Sequence, residues 1–146
     1  MTTNNNIYNN YLVKKPWGEE YTIYKNKSKI AITLVKIKPG KSTSLHCHPN
    51  KKTGFIILSG NPVVQIGIHK NNLKTKPLSI LVIRPGLFHS IKNPKKSKKN
   101  VYALEFETPY NKNDLVRFKD KYGRKKKGYE NIKFFEKLKP DTLIFK

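Results

Sequence analysis

Three of the chain's four histidines stand where a metal ion could use them. His46 and His48 are two apart in Ser44-Leu45-His46-Cys47-His48. Alternate residues of a β-strand face the same side, so both imidazoles point into one space while Leu45 and Cys47 point into the other. Neutral imidazole is the commonest metal ligand, with metal–nitrogen distances of about 2.0–2.1 Å for zinc. A third donor is available in His89, which follows the tight turn Arg84-Pro85-Gly86 on a strand able to lie beside the first in a closed sheet. His46, His48 and His89 are therefore the candidate ligands of one divalent transition metal. Three imidazoles do not by themselves distinguish zinc, iron, manganese or nickel. Cys47 has the wrong parity to join them and reads as a small buried hydrophobe, with thiolate ligation the minor alternative. His69, in His69-Lys70-Asn71-Asn72, reads as an imidazole with its own hydrogen bonds satisfied.

Metal-assisted chemistry also needs a group that moves a proton. Ala103, Glu105 and Glu107 share one face of a strand, and Tyr102, Leu104 and Phe106 share the other. Pointing inward, Glu105 could act as general base or balance the charge of the ion. Pointing outward, it is a surface carboxylate paired with one of many lysines. Trp17, in Pro16-Trp17-Gly18, could stack on a sugar, although a packing role is the leading one for the only Trp of the chain.

The elements that must position these groups read as strands. From Val13 to Pro109, short β-branched and aromatic runs alternate with Gly, Pro and Asn, the pattern of an all-β sandwich or barrel. Strands are expected near Glu20–Tyr24, Ile30–Ile37, Thr43–His48, Phe55–Leu58, Val63–His69, Ser79–Arg84, Ser90–Asn93 and Val101–Thr108. Turns at Lys38-Pro39-Gly40, Ser59-Gly60-Asn61-Pro62 and Arg84-Pro85-Gly86 combine a preset φ with permissive glycine. The expected organisation is a loose polar arm over residues 1–12, a barrel over 13–109, and a short helix and packed tail over 110–146. The helix rests on Asn113 or Asp114 as cap, with Leu115 and Phe118 three apart.

With 146 residues the chain is one domain. Its 31 Lys+Arg against 9 Asp+Glu give a net charge of +22, which invites a nucleic-acid reading. Only Arg84, Arg117 and Arg124 are arginine, however, whereas base and phosphate recognition leans on the guanidinium fork. No aromatic-basic interleaving of the single-strand-binding kind is visible. Abundant Lys, Asn and Ile is what AT-rich coding produces whatever the function, so nucleic acid is not the expected partner. A basic surface would still steer phosphorylated substrates inward. A lone cysteine gives no disulfide framework, which points to a reducing, cytoplasmic setting. No signal-peptide core opens the chain and no run of about eighteen apolar residues occurs, so no membrane span is expected.

These motifs resemble those of the cupins. Gly40, five residues, His46-Cys47-His48 and then Gly60 look like the first cupin motif; Gly86, two residues, His89, three residues and Asn93 look like the second. Further stretches resemble the carboxy-terminal cupin domain of type II mannose-6-phosphate isomerases and their small single-domain relatives. They are Lys15-Pro16-Trp17-Gly18, Lys38-Pro39-Gly40, Leu58-Ser59-Gly60, Leu104-Glu105-Phe106-Glu107 and the run from Asn113 to Arg124. The resemblance implies a double-stranded β-helix, or jelly roll, with a divalent metal in its mouth. It implies sugar-phosphate or nucleotide-sugar chemistry as the neighbourhood. Arg124 then falls on an arginine that looks catalytic or phosphate-binding in those isomerases, and its planar fork suits a phosphate; an ion pair with Asp120 is the plainer role.

There are also departures from the family pattern. The usual metal carboxylate falls on Thr53, which could at best hydrogen-bond a bound water. The isomerases' Gln at the first ligand position falls on His46, and the second motif's leading Gly and Pro fall on Leu78 and Arg84. Three neutral imidazoles leave the double charge of an ion uncompensated and favour an anionic ligand. The leading expectation is an isomerase or epimerase of sugar phosphates or nucleotide sugars in carbohydrate, including surface-polysaccharide, metabolism. A three-histidine non-haem iron dioxygenase and a non-catalytic module binding a sugar or small acid are the alternatives. A homodimer is expected, because a small barrel must cover its strand edges, and Leu143-Ile144-Phe145 is a candidate seal.

Overall fold

A computed structural model of the chain describes residues 12–27, 29–69, 71–111, 113–119 and 144–145. The described residues form twelve strands: β1 (Leu12–Lys15), β2 (Gly18–Asn26), β3 (Ile30–Ile37), β4 (Leu45–Cys47), β5 (Lys52–Ser59), β6 (Val63–Ile66), β7 (Asn71–Lys74), β8 (Ile80–Ile83), β9 (His89–Lys92), β10 (Val101–Thr108), β11 (Val116–Lys119) and β12 (Ile144–Phe145). A seven-stranded sheet runs β1-β2-β3-β10-β5-β8-β12 and a five-stranded sheet runs β11-β4-β9-β6-β7. All pairings are antiparallel.

The period of two in the sequence becomes the wall between core and solvent. Along β3, burial alternates strictly, with Ala31, Thr33, Val35 and Ile37 inside. Phe55 and Ile57 of β5, Leu81 and Ile83 of β8 and Val101 and Ala103 of β10 complete the inner face of the larger sheet. Val64, Ile66 and Ile91 meet them from the smaller one. Each fully buried Val, Leu, Ile or Phe contributes about 1.5–3 kcal/mol, so this interface is the main source of stability. A second, smaller cluster of Cys47, Phe88 and Val116 packs behind β4, on the side away from His46. At Gly18 the neighbouring strand comes so close that a Cβ would lie 1.8 Å from the Lys36 carbonyl oxygen.

The eight expected strands are all present, with trimmed or extended ends. The expected strand to His69 stops at Ile66. Gly67 turns the chain at a φ of 75°, and β7 returns to pair Ile66 with Asn71. The expected helical turn after Asn113 is a correction: residues 116–119 form β11, paired with β4. The reason lies in the alternation of Leu115-Val116-Arg117-Phe118. Val116 is buried, and Phe118 meets the Phe88 ring edge-on from the same side. Two packing surfaces separated by one strand require a period of two, and a helix cannot supply it. Asp114 is not a helix cap either: its carboxylate accepts the backbone N–H groups of Asn50 and Lys51. At the far edge of the larger sheet, Ile144 and Phe145 of the expected seal pair with Val82 and Leu81 of β8 in the same chain. Residues 1–11 of the expected arm, and 120–143 of the expected tail, lie outside the described residues. No described helix is long and apolar enough to cross a membrane.

Candidate metal centre

β4 and β9 are neighbours in the five-stranded sheet, and their register sets His46 directly opposite His89. His48 follows β4 by one residue and returns to the same side, as strand parity requires. The three rings lie 4.9, 4.6 and 5.4 Å apart, centre to centre. One nitrogen from each falls within 4.8 Å of the others. Among the described residues, no other group of three or more His, Cys, Asp or Glu side chains is so disposed.

The hydrogen bonds decide which nitrogen that is. Nδ1 of His46 donates to the Ser44 carbonyl at 2.8 Å, Nδ1 of His48 to the Asp114 carbonyl at 2.9 Å, and Nδ1 of His89 to the Leu87 carbonyl at 2.9 Å. A carbonyl only accepts, so each ring carries its proton on Nδ1 and turns the Nε2 lone pair toward the shared space. Desolvation, followed by the neighbouring His89 and His48, holds His46 well below the usual imidazole range. Desolvation brings His89 down to about 4. Nε2 of His89 is buried and has no hydrogen-bond partner. Three imidazoles oriented by backbone carbonyls, each with a nitrogen in one shared space, are the donor set a divalent transition ion takes. These residues fit a metal, and Cys47 does not belong among them. Its thiol faces the second cluster, is fully buried, and is pushed up to about 12 by burial.

Local chemistry fixes His48 more firmly than its position at a strand end would suggest. The Asp114 carboxylate accepts the backbone N–H of Asn50 at 3.0 Å, the side-chain amide of Asn50 at 3.0 Å and the backbone N–H of Lys51 at 2.8 Å. Its own carbonyl takes the His48 proton. The residue expected to cap a helix thus ties the loop after His48 to the entrance of β11. On the other flank, the Gly86 N–H donates to the His48 carbonyl at 2.8 Å, joining the Arg84-Pro85-Gly86 turn to the same histidine.

The larger sheet closes the space into a cup. Trp17, Val35, Phe55, Glu105 and Glu107 line it from that side, and Ser44, the three histidines, Leu115 and Arg117 from the other. Glu105 therefore faces inward, half-buried, and so does Glu107, which is 1% exposed. Trp17 lines the cup while packing within the main core cluster. Thr53 is buried, is not among the lining residues, and leaves its Oγ1 without a hydrogen-bond partner. Arg124 lies outside the described residues.

Sequence reasoning passed over four groups. Glu107 shares the parity of Glu105, and that signal was available. Lys51, 5% exposed and ion-paired with Glu107, has no sequence signal among so many lysines. Arg117 sits opposite His46 in the β11–β4 register and places Nε 3.3 Å from Ser44 Oγ. It was legible only once residues 116–119 were known to be a strand. Asp114 carried the signal of a cap and serves a loop instead.

The comparisons with known proteins agree with this architecture. The family model described as mannose-6-phosphate isomerase C-terminal matches residues 3–120. The xanthan biosynthesis protein XanB of Xanthomonas campestris is 28% identical over 112 residues, which are 77% of this chain and 23% of that protein. A mannose-1-phosphate guanylyltransferase of Klebsiella pneumoniae is 27% identical over the same share of each chain, 77% and 23%. The chain thus spans less than a quarter of the length of these relatives. Among solved structures, a Klebsiella pneumoniae protein with a double-stranded β-helix domain superposes with a TM-score of 0.64 at 15% identity, covering 77% of this chain and 94% of that one. The capsular polysaccharide assembling protein CapF of Staphylococcus aureus gives 0.63 at 17% identity, covering 75% and 31%. The fold, two sheets of a double-stranded β-helix, is what these structures share with the chain.

Proposed function

Because the chain belongs to the mannose-6-phosphate isomerase C-terminal family, we propose that it is a metal-dependent isomerase or epimerase. Its substrate is a phosphorylated or nucleotide-linked sugar, bound at the cup between its two sheets. The observation that carries the reading is the trio of Nδ1 atoms tied to backbone carbonyls, with one nitrogen of each ring within 4.8 Å of the others. His46, His48 and His89 would hold the ion. A divalent cation supplies polarisation of a sugar carbonyl, which acidifies the neighbouring C–H. Glu105, half-buried on the cup wall, takes that proton and returns it to the adjacent carbon. Arg117 and Lys15, which also line the cup, bind the anionic end of the sugar, with Arg124 a further phosphate ligand. Trp17 and Phe55 keep water from one wall. Relatives named for xanthan biosynthesis and for capsular polysaccharide assembly support surface-polysaccharide metabolism as the setting.

The test is isotope exchange. Protein loaded with zinc, manganese, iron or nickel is incubated in D₂O with a panel of hexose and pentose phosphates and nucleotide sugars. The reading expects deuterium at the carbon beside the carbonyl, lost in Glu105→Gln and in His48→Ala. Absence of exchange across the panel, with the metal bound, overturns catalysis and leaves a binding module.

A further inference from the structure

The cup holds a carboxylate that the proposed chemistry does not use. Glu107 on β10 is 1% exposed; its Oε2 is paired with the Lys51 ammonium, and its Oε1 is buried with no hydrogen-bond partner. Buried polar atoms are almost always partnered, so an orphan calls for a water or ion to satisfy it. Two orphans line this cup: Oε1 of Glu107 and Nε2 of His89. Both are acceptors, since the His89 proton is already committed to the Leu87 carbonyl. A cation on the histidines would meet His89 directly and Glu107 through its charge, since a histidine donor set adds no negative charge of its own.

The register adds the second observation. Position 53 is where the family resemblance calls for a metal carboxylate, and this chain has Thr53 there. The residue directly across the β5–β10 pair from Thr53 is Glu107. We propose that Glu107 supplies, from β10, the negative charge that position 53 no longer supplies from β5, and that Lys51 holds this carboxylate in place and competes with the cation for it. The inference rests on the metal reading above. Its content is separate: the charge partner of the ion has moved across one strand pair, and the lysine beside it sets how tightly the ion is held. Because only the three histidine nitrogens lie within 4.8 Å of one another, Glu107 acts as a charge partner and not as a fourth donor of that group.

The experiment is a competition titration of Zn²⁺ alone against a chelating dye, at fixed pH and salt, on the full chain. Thermal unfolding of each metal-free variant is recorded in parallel. Glu107→Gln is expected to weaken Zn²⁺ by about 10–100-fold, the usual loss when a partner outside the ligand set is removed. Lys51→Met is expected to tighten it, because a competing positive charge leaves the cup. Both are expected to lower the melting temperature of the metal-free protein, since each strands one half of a buried pair. Opposite signs in affinity with the same sign in stability are what a purely structural ion pair cannot give. The exchange Thr53→Glu/Glu107→Thr, which swaps the two side chains across the strand pair, is expected to recover most of the affinity lost in Glu107→Gln. Glu19→Gln, outside the cup, controls for net charge and should leave affinity unchanged. Unaltered Zn²⁺ affinity in Glu107→Gln, or equal weakening by Glu107→Gln and Lys51→Met, overturns the assignment while the metal reading stands. No Zn²⁺ binding by the wild type, or binding retained in His48→Ala, overturns the metal reading and this assignment with it.

Discussion

Inside the cup, Lys15, Lys51 and Arg117 face Glu20, Glu105 and Glu107, three bases against three acids, whereas the chain as a whole carries 31 Lys+Arg against 9 Asp+Glu. A third of all its acidic groups therefore line one small concavity. The exterior is a solvated basic shell whose charges are screened within about 8–10 Å at ordinary salt. At the floor of the cup Lys51 and Glu107 are buried, so each of those charges needs a partner and each ring a fixed tautomer. Overall charge consequently describes what drifts toward the protein, and the cup decides what it does.

The sharpest way to break that contrast is to remove the same kind of side chain from each region. His48→Ala is expected to abolish binding of a divalent ion, whereas His69→Ala, on the exposed surface, is expected to leave it intact. Equilibrium dialysis with Zn²⁺ or Co²⁺ measures both, and equal losses would erase the distinction. Next in size are the charges themselves. Removing either member of the Lys51–Glu107 pair is expected to cost about 3–5 kcal/mol in the metal-free protein. Lys96→Gln on the exterior should stay within about 0.5 kcal/mol. Urea unfolding monitored by Trp17 fluorescence compares them, and a small cost for the buried pair would mean that the cup is wetter than its burial indicates.

Asp114→Ala tests whether the cup depends on its support. The carboxylate accepts three N–H groups from Asn50 and Lys51, so its loss is expected to cost about 2–3 kcal/mol. Through the freed loop it should weaken Zn²⁺ about tenfold. Destabilisation with unchanged affinity would make Asp114 a fold residue alone. The smallest effect concerns the reverse side of β4. Cys47, with its thiol pushed up to about 12 by burial, is expected to resist iodoacetamide at pH 8 until the protein is unfolded. Labelling of the native protein at the rate of the unfolded chain would show the second cluster to be open.

Much of this was readable from residue order because it depends on local periodicity. Strand parity alone set His46 and His48 together and turned Cys47 away, and glycine-bearing turns fixed the ends of the central strands. The same parity held for Glu105 and Glu107. It could not say that Glu107, and not Glu105, would be fully buried, because that depends on which strand lies across and how deep the cup runs there. Lys51 escaped notice because its burial is a tertiary property with no period, hidden among many similar residues. Asp114 misled because an acceptor that caps a helix can equally cap a loop, and the choice was made by a partner 64 residues away. Leu115 and Phe118 fit a helical spacing by coincidence; with Val116 between them the period of two prevailed, since β4 offered an open edge.

The central claim is that three imidazoles, and no sulfur, meet one ion. X-ray absorption at the zinc K-edge of protein loaded with one equivalent of Zn²⁺ addresses it directly. The account predicts a first shell of nitrogen or oxygen at about 2.0–2.1 Å with the outer-ring scattering of three imidazoles. Scattering from a single imidazole, or a sulfur at about 2.3 Å from Cys47, would contradict it.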